Sequence, residues 1–200
     1  MNPAAPRRMA TASWLALSCL SSVQAQGQAL ALTAEAKPVA VPAGNAVLAP
    51  LPGGRLVGQG LLRFWGLEVY QASLWVAPAF RAEDFARHGF AIELEYRRGF
   101  SAAAIAGRSL QEMRRHGHFS DSQARRWQTA LEQSLPDVVP GDRIVGLHRP
   151  GQGARFEQGG RLLGEINDPE FARLFFAIWL GPATSEPGLR EALLAGLEPG

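Results

Sequence analysis

From about residue 55 onward the chain switches between two hydrophobic rhythms. Tyr70, Ala72, Leu74 and Val76 alternate with Val69, Gln71, Ser73 and Trp75. Phe90, Ile92, Leu94 and Tyr96 alternate in the same way with Ala91, Glu93, Glu95 and Arg97. A period of two describes a strand with one apolar face and one wet face. Residues 56–64 and 67–76, rich in Leu, Val and aromatic side chains, read as paired strands with Gly66 at the bend. Residues 143–148 and 155–166 return to strands, and Gly159-Gly160 supplies a hairpin turn.

The second rhythm has the helical period. Over residues 101–116 a stripe of Ala103, Ala106, Leu110 and Met113 predicts a helix capped by Ser101 and stopped by Gly117. Ser120 opens another, with Gln123 placed for a capping box, a stripe of Ala124, Trp127, Leu131 and Leu135, and Pro136 at its end. A third begins at Asp168 as N-cap and Pro169 as first helical residue. Phe171, Leu174, Phe175, Ile178 and Trp179 form its stripe; Phe176, Ala177 and Leu180 widen it until the helix is apolar nearly all round, which predicts deep burial. A short helix over 188–197 closes the chain. Strands, two helices, strands and two helices predict an α+β fold: an antiparallel sheet with helices on one face.

The first 54 residues fit neither rhythm. Arg7 and Arg8 precede an apolar run, residues 10–20, too short to span a bilayer, and Val23-Gln24-Ala25 places small residues for cleavage. Residues 1–25 are therefore expected to be a signal peptide cleaved after Ala25, giving a periplasmic or secreted protein with no stable membrane insertion afterwards. The Arg pair opens a twin-arginine reading and Cys19 a lipidation reading, but the residues around each match those motifs poorly. Residues 26–54, broken by Pro38, Pro42, Pro50 and Pro52, read as a flexible leader, with a short strand near residues 46–48. The folded domain is expected over 55–200.

The formal charge of +2 is accounted for by Arg7 and Arg8, so the rest of the chain is neutral and argues against nucleic-acid binding. Cys19 is the only cysteine. The mature chain then has no disulfide, no thiolate nucleophile and no Cys-ligated metal, and relies on its core. His116-Gly117-His118 lacks neighbouring acidic or cysteine ligands, and a helix end commonly carries His, so no metal and no cofactor are expected. Residues 97–126 hold seven Arg against Glu112 and Asp121. That reads as a solvated helical face, with an anionic partner as the alternative.

Several local sequences, in order, resemble the chalcone isomerase-like family. They are Gly58-Gln59-Gly60 leading to Val69-Tyr70-Gln71-Ala72-Ser73-Leu74-Trp75, then Ile92-Glu93-Leu94-Glu95-Tyr96, Pro140-Gly141-Asp142 and Gly164-Glu165-Ile166. Phe175-Phe176-Ala177-Ile178-Trp179-Leu180-Gly181 and Thr184-Ser185-Glu186-Pro187-Gly188-Leu189-Arg190 complete the set. The resemblance implies an open-faced β-sandwich of chalcone isomerase type, with a long antiparallel sheet, helices packed on one face and a small-molecule cleft between them. It also implies two kinds of activity: closure of a chalcone to a flavanone, or non-catalytic binding of fatty acids.

The enzymes need a guanidinium to hold the attacking phenolate and a hydroxyl-rich wall to polarise the ketone. Aligned without a gap from Gly58 to Tyr70, the enzyme's Arg position is Leu62; Arg63 comes one residue late, which in a strand means the opposite face. A bulge at Gly58 or Gly60 would restore it, and Arg55 is a second candidate. The Thr position falls near Trp65, the helix positions near Ser101 and Arg108, and the late hydroxyl on Thr184 or Ser185. With most of that set missing or shifted, the expected function is an exported, monomeric, non-catalytic binder of a small apolar carboxylate such as a fatty acid. Arg63, Arg108, Tyr70, Tyr96, Thr184 and Ser185 are the candidate ligand-binding residues, since guanidinium and carboxylate form paired hydrogen bonds. The alternatives are an isomerase acting on a phenolic enone and a partner-binding scaffold without a small ligand.

Overall fold

The computed structural model describes residues 50–197. The expected signal peptide, its Arg pair and Cys19, the leader up to residue 49 and the short strand near 46–48 lie outside the described residues. By internal contacts the chain divides between Gly44 and Asn45, and everything described below belongs to the second unit.

Six strands lie side by side in chain order, each antiparallel to its neighbours. They are β1 (Arg55–Phe64), β2 (Leu67–Val76), β3 (Phe90–Tyr96), β4 (Arg143–Arg149), β5 (Gly153–Gln158) and β6 (Arg161–Ile166). The helices are α1 (Ala102–Met113), α2 (Asp121–Ser134), α3 (Pro169–Leu180) and α4 (Pro187–Leu194). This is the expected α+β architecture, an open sheet with helices on one face.

Register explains which face they cover. Leu74 pairs with Ile92, Ile92 with Gly146 and Gly146 with Phe156, so one apolar row crosses four strands. The α3 aromatics close on it: Phe175 meets Phe156 edge-on at 5.5 Å and Phe176 meets Phe90 at 5.0 Å. Gly146 leaves room for Phe176, whose ring would lie 3.3 Å from an added Cβ. Such pairs favour edge-to-face geometry.

The opposite face is less wet than alternation predicts. Ala91 and Glu93 are buried. For Glu93 the cause is Arg143, which reaches across from β4 to Glu93 at 3.1 Å and to Glu95, while Ala91 lies between Trp75 and Leu147. Arg155 pairs with Glu157 and Glu165, and Arg149 with Glu165. A cross-strand ladder of opposite charges thus covers the sheet where no helix does.

Helix ends follow their caps. Ser101 accepts from Ala104 N–H, and Ser120 and Gln123 form the expected capping box. α1 ends three residues before His116, because Arg115 and His116 bond one residue short, in 3-10 fashion, to Glu112 and Met113. Ala103 is exposed, so the buried stripe of α1 is Ala106, Leu110 and Met113. Its neighbouring face carries Ser109 and Glu112, both buried.

α4 lies across β1 through two glycines. A Cβ at Gly58 would stand 2.2 Å from the Ala192 carbonyl oxygen, and one at Gly60 would stand 2.5 Å from Leu189. Gly58-Gln59-Gly60 therefore serves close helix approach. A register shift does fall between Leu56 and Gly58, but pairing is regular from Gly58 to Leu62. The bulge leaves Leu62 opposite Tyr70 and does not carry Arg63 onto the covered face.

Candidate functional site

Tyr70 near the start of β2 and Tyr96 at the end of β3 are paired across the sheet, ring centroids 6.1 Å apart and edge-on. Both point to the helix side, as the alternation of their strands requires. Trp179, near the end of α3, donates its indole N–H to the Tyr70 hydroxyl at 3.1 Å. That leaves the phenol O–H of Tyr70 available as a donor.

α1 and the α3–α4 loop bring charge to this end. Arg108 binds Glu112 one turn on at 2.7 Å, and Gln111 at 3.1 Å. Arg115 approaches Glu112 from the other side at 3.8 Å. In the loop, the Thr184 hydroxyl donates to the Ile178 carbonyl at 2.7 Å and accepts the Glu186 N–H at 3.2 Å. Thr184 therefore ties the loop to α3, and the half-buried Ser185 lies between it and Glu186. Glu186 has its carboxyl pushed up, first by desolvation and then by the nearby Glu112, with Arg108 opposing. Arg108 and Glu186 also act on the Tyr70 phenol. One cationic side chain thus faces a phenol and two carboxylates.

Five of the six candidate residues, Tyr70, Tyr96, Arg108, Thr184 and Ser185, belong to this region. Arg63 does not. It lies at the exposed end of the β1–β2 hairpin, past a second register shift between Leu62 and Arg63, and is paired with Glu68 at 3.0 Å. Arg55 is at the far end of β1, donating to the Gly196 carbonyl at 3.1 Å. Ser101 has its hydroxyl engaged as the α1 cap, and Trp65 sits at the hairpin tip. Leu62 alone occupies the covered-face position opposite Tyr70. Sequence reasoning missed Glu112, Glu186 and Trp179. The first was readable as the i+4 partner of Arg108; the other two depend on how α3 and its following loop return over the sheet.

Burial raises both phenols above their ordinary value of 10.0, with the Trp179 hydrogen bond the largest opposing influence at Tyr70. A raised folded-state pKa means stability is intact below pH 10 and lost as pH climbs beyond it, where only the unfolded chain readily releases those protons. These are the chain's only two tyrosines. Tyrosinate absorbance at alkaline pH is expected to rise together with loss of circular dichroism, in one step. Ionisation of either phenol in the folded protein at its ordinary pH would contradict this burial.

A groove of about 310 Å³, lined by Glu83, Phe85, His116, Arg173 and Pro182 among others, adjoins this region through Arg115. Among the described residues no cluster of three metal-ligating side chains occurs.

A sequence model of the chalcone isomerase-like family matches residues 53–195. The chain belongs to the chalcone isomerase-like family. No curated protein matches it. Among solved structures it is similar to a fatty-acid binding protein of Arabidopsis thaliana, at 15% identity and a TM-score of 0.56, covering 71% of this chain and 87% of that one. At that identity the likeness establishes the fold that this chalcone isomerase-like chain shares with its relative.

Proposed function

We propose that this protein is an exported, non-catalytic binder of a small apolar carboxylate such as a fatty acid, held between Arg108 and Tyr70. The observation that carries the reading is the convergence of one guanidinium, one donor phenol and aromatic walls at a single end of the covered face. The family's fatty-acid-binding relative supports the same ligand class. The N-terminal pattern of residues 1–25 supports export.

Arg108 and Arg115 are balanced by Glu112 and Glu186, so an arriving carboxylate adds a third negative group. Its charge adds to the desolvation and the Glu112 charge that already push the Glu186 carboxyl up. Arg108, 43% exposed, takes the ligand carboxylate at the rim. The acyl chain enters by parting Tyr70 from Trp179, among side chains that offer only apolar surface beyond their one hydrogen bond.

Chalcone cyclisation has less support. Its phenolate needs a cation on the covered face near Tyr70, and Leu62 stands there instead. A scaffold role without a small ligand leaves the buried phenol and carboxylate unexplained.

The test is binding of a fluorescent fatty acid to delipidated protein, with Arg108→Met as the variant. Methionine keeps the apolar stem and removes the cation. Affinity is expected to fall by about tenfold or more, the worth of a charge-assisted hydrogen-bonded pair. Wild-type protein that binds no fatty acid, or a variant that binds as well as wild type, refutes the reading.

A further inference from the structure

Six large apolar side chains are exposed among the described residues, and five of them gather at one end of the sheet. Phe64, Trp65 and Leu67 form the tip of the β1–β2 hairpin. Val139 lies in the loop whose Gly141 N–H bonds the Tyr96 carbonyl, at the end of β3. Leu162 lies beside the β5–β6 turn, and Gln158 of that turn bonds Asp142, which precedes β4. Antiparallel pairing thus brings the turns and loop together along the same edge, although they are far apart in sequence.

The hairpin tip carries the clearest signal. Its two turn residues, Trp65 and Gly66, have φ of +52° and +79°, as a two-residue type I′ turn requires. Asn, Asp or Gly normally fill the first position; a bulky residue there is a strained exception. Trp65 accepts that strain and is still 86% exposed. Neither folding nor solubility gains from it, so the residue is held there for contact with something else.

We propose that this end of the sheet docks on the surface of a lipid bilayer, with Trp65, Leu67, Val139 and Leu162 entering the headgroup layer. Trp is the side chain that favours that interface. The apolar residues sit on separate turns with arginines between them, whereas a stable protein interface needs a continuous patch of about 800 Å² per partner. Arg63, Arg97, Arg98 and Arg161 stand around the row, and the Arg97 N–H bonds Val69 to fix it beside the hairpin stem. Glu68 and Glu95 offset two of these, through Arg63 and Arg97. Arg98 and Arg161 form no ion pair among the described residues and suit anionic headgroups, while the carboxylates of Asp137 and Asp142 in the Val139 loop are turned onto the backbone N–H groups of Ala102 and Val139. Docking in this orientation brings Tyr70, three residues beyond Leu67, close to the lipid. The proposal stands whether or not the site holds a fatty acid.

The experiment uses the full chain and vesicles of phosphatidylcholine with phosphatidylglycerol, carrying brominated acyl chains. Trp65→Asn places the preferred residue in the turn, so it folds at least as stably. The difference in emission between wild type and Trp65→Asn isolates Trp65 from the other tryptophans. That difference signal is expected to shift to the blue and to be quenched by the brominated lipid. A Val139→Ser, Leu162→Ser double variant keeps Trp65 and should need about tenfold more lipid for the same quenching, given what burial of such side chains is worth. A Trp65 signal indifferent to vesicles overturns the proposal, as does undiminished quenching in the double variant.

Discussion

Replacing Gly58 by valine is expected to destabilise the protein by about 3 kcal/mol and to lower its melting temperature by about 10 °C. The reason is the identity of the atoms that the new Cβ would meet. They are the carbonyl oxygens of Ala192 and Leu193, at 2.2 and 2.5 Å. Both belong to the α4 backbone, so no rotamer change relieves the contact; α4 itself must lift from β1. The helix follows directly on the loop of Thr184, Ser185 and Glu186, and Leu189 and Leu193 are buried beneath it. Lifting it exposes two leucines and releases the loop that brings Glu186 to Arg108, so the fatty-acid binding proposed above should weaken in the same variant. Gly107→Ala provides the contrast. This glycine lies in α1 with nothing within 4 Å of an added Cβ, and the change should gain roughly 0.5–1 kcal/mol from helix propensity. Urea unfolding of the two variants checks both signs. Equal, small effects would mean that α4 does not rest on β1 as described.

Gly58 also shows where sequence reasoning works and where it stops. Hydrophobic periods place β2, β3 and the first three helices, because each of these buries one face and the burial is written in its own residues, while composition and turn residues place the other strands. Parity along β2 and β3 assigned Tyr70 and Tyr96 to the covered side for the same reason. The glycine pair, by contrast, leaves open in the sequence a bulge that could re-aim Arg63. Its purpose is set by α4, some 130 residues later, and a local pattern carries no trace of that approach. Arg63 stands one residue past the covered-face Leu62 and pairs with Glu68 at the hairpin end, an offset that the gap-free spacing from Gly58 to Tyr70 already implied. Glu112 was within reach of sequence, four residues after Arg108. Glu186 was not, since its burial depends on the packing of two helices. The apolar row at the sheet end is invisible until strand order is known, because Trp65, Val139 and Leu162 share no segment.

Truncating Asp168 to alanine is expected to cost about 3 kcal/mol, although the side chain is small and sits at a helix end. One of its oxygens accepts the N–H groups of Glu170 and Phe171, at 3.0 and 3.1 Å, and so caps α3. The other accepts the indole N–H of Trp127 from α2 at 2.8 Å. Loss of a cap costs about 1 kcal/mol. Trp127 is buried, so its orphaned N–H adds a further penalty of about 1–3 kcal/mol. Asp168→Asn separates the two contributions. An amide has one oxygen, which serves either the cap or the indole, while its NH₂ group faces the donor left over. That variant should fall between wild type and alanine in a urea titration. The consequence for the site follows along α3, whose other end holds Trp179 against Tyr70. A loosened first turn lets the helix shift on α2, so Asp168→Ala should also weaken the linked alkaline transition of the two tyrosines. If the alanine variant were as stable as wild type, the Trp127–Asp168 bond would not be joining α2 to α3.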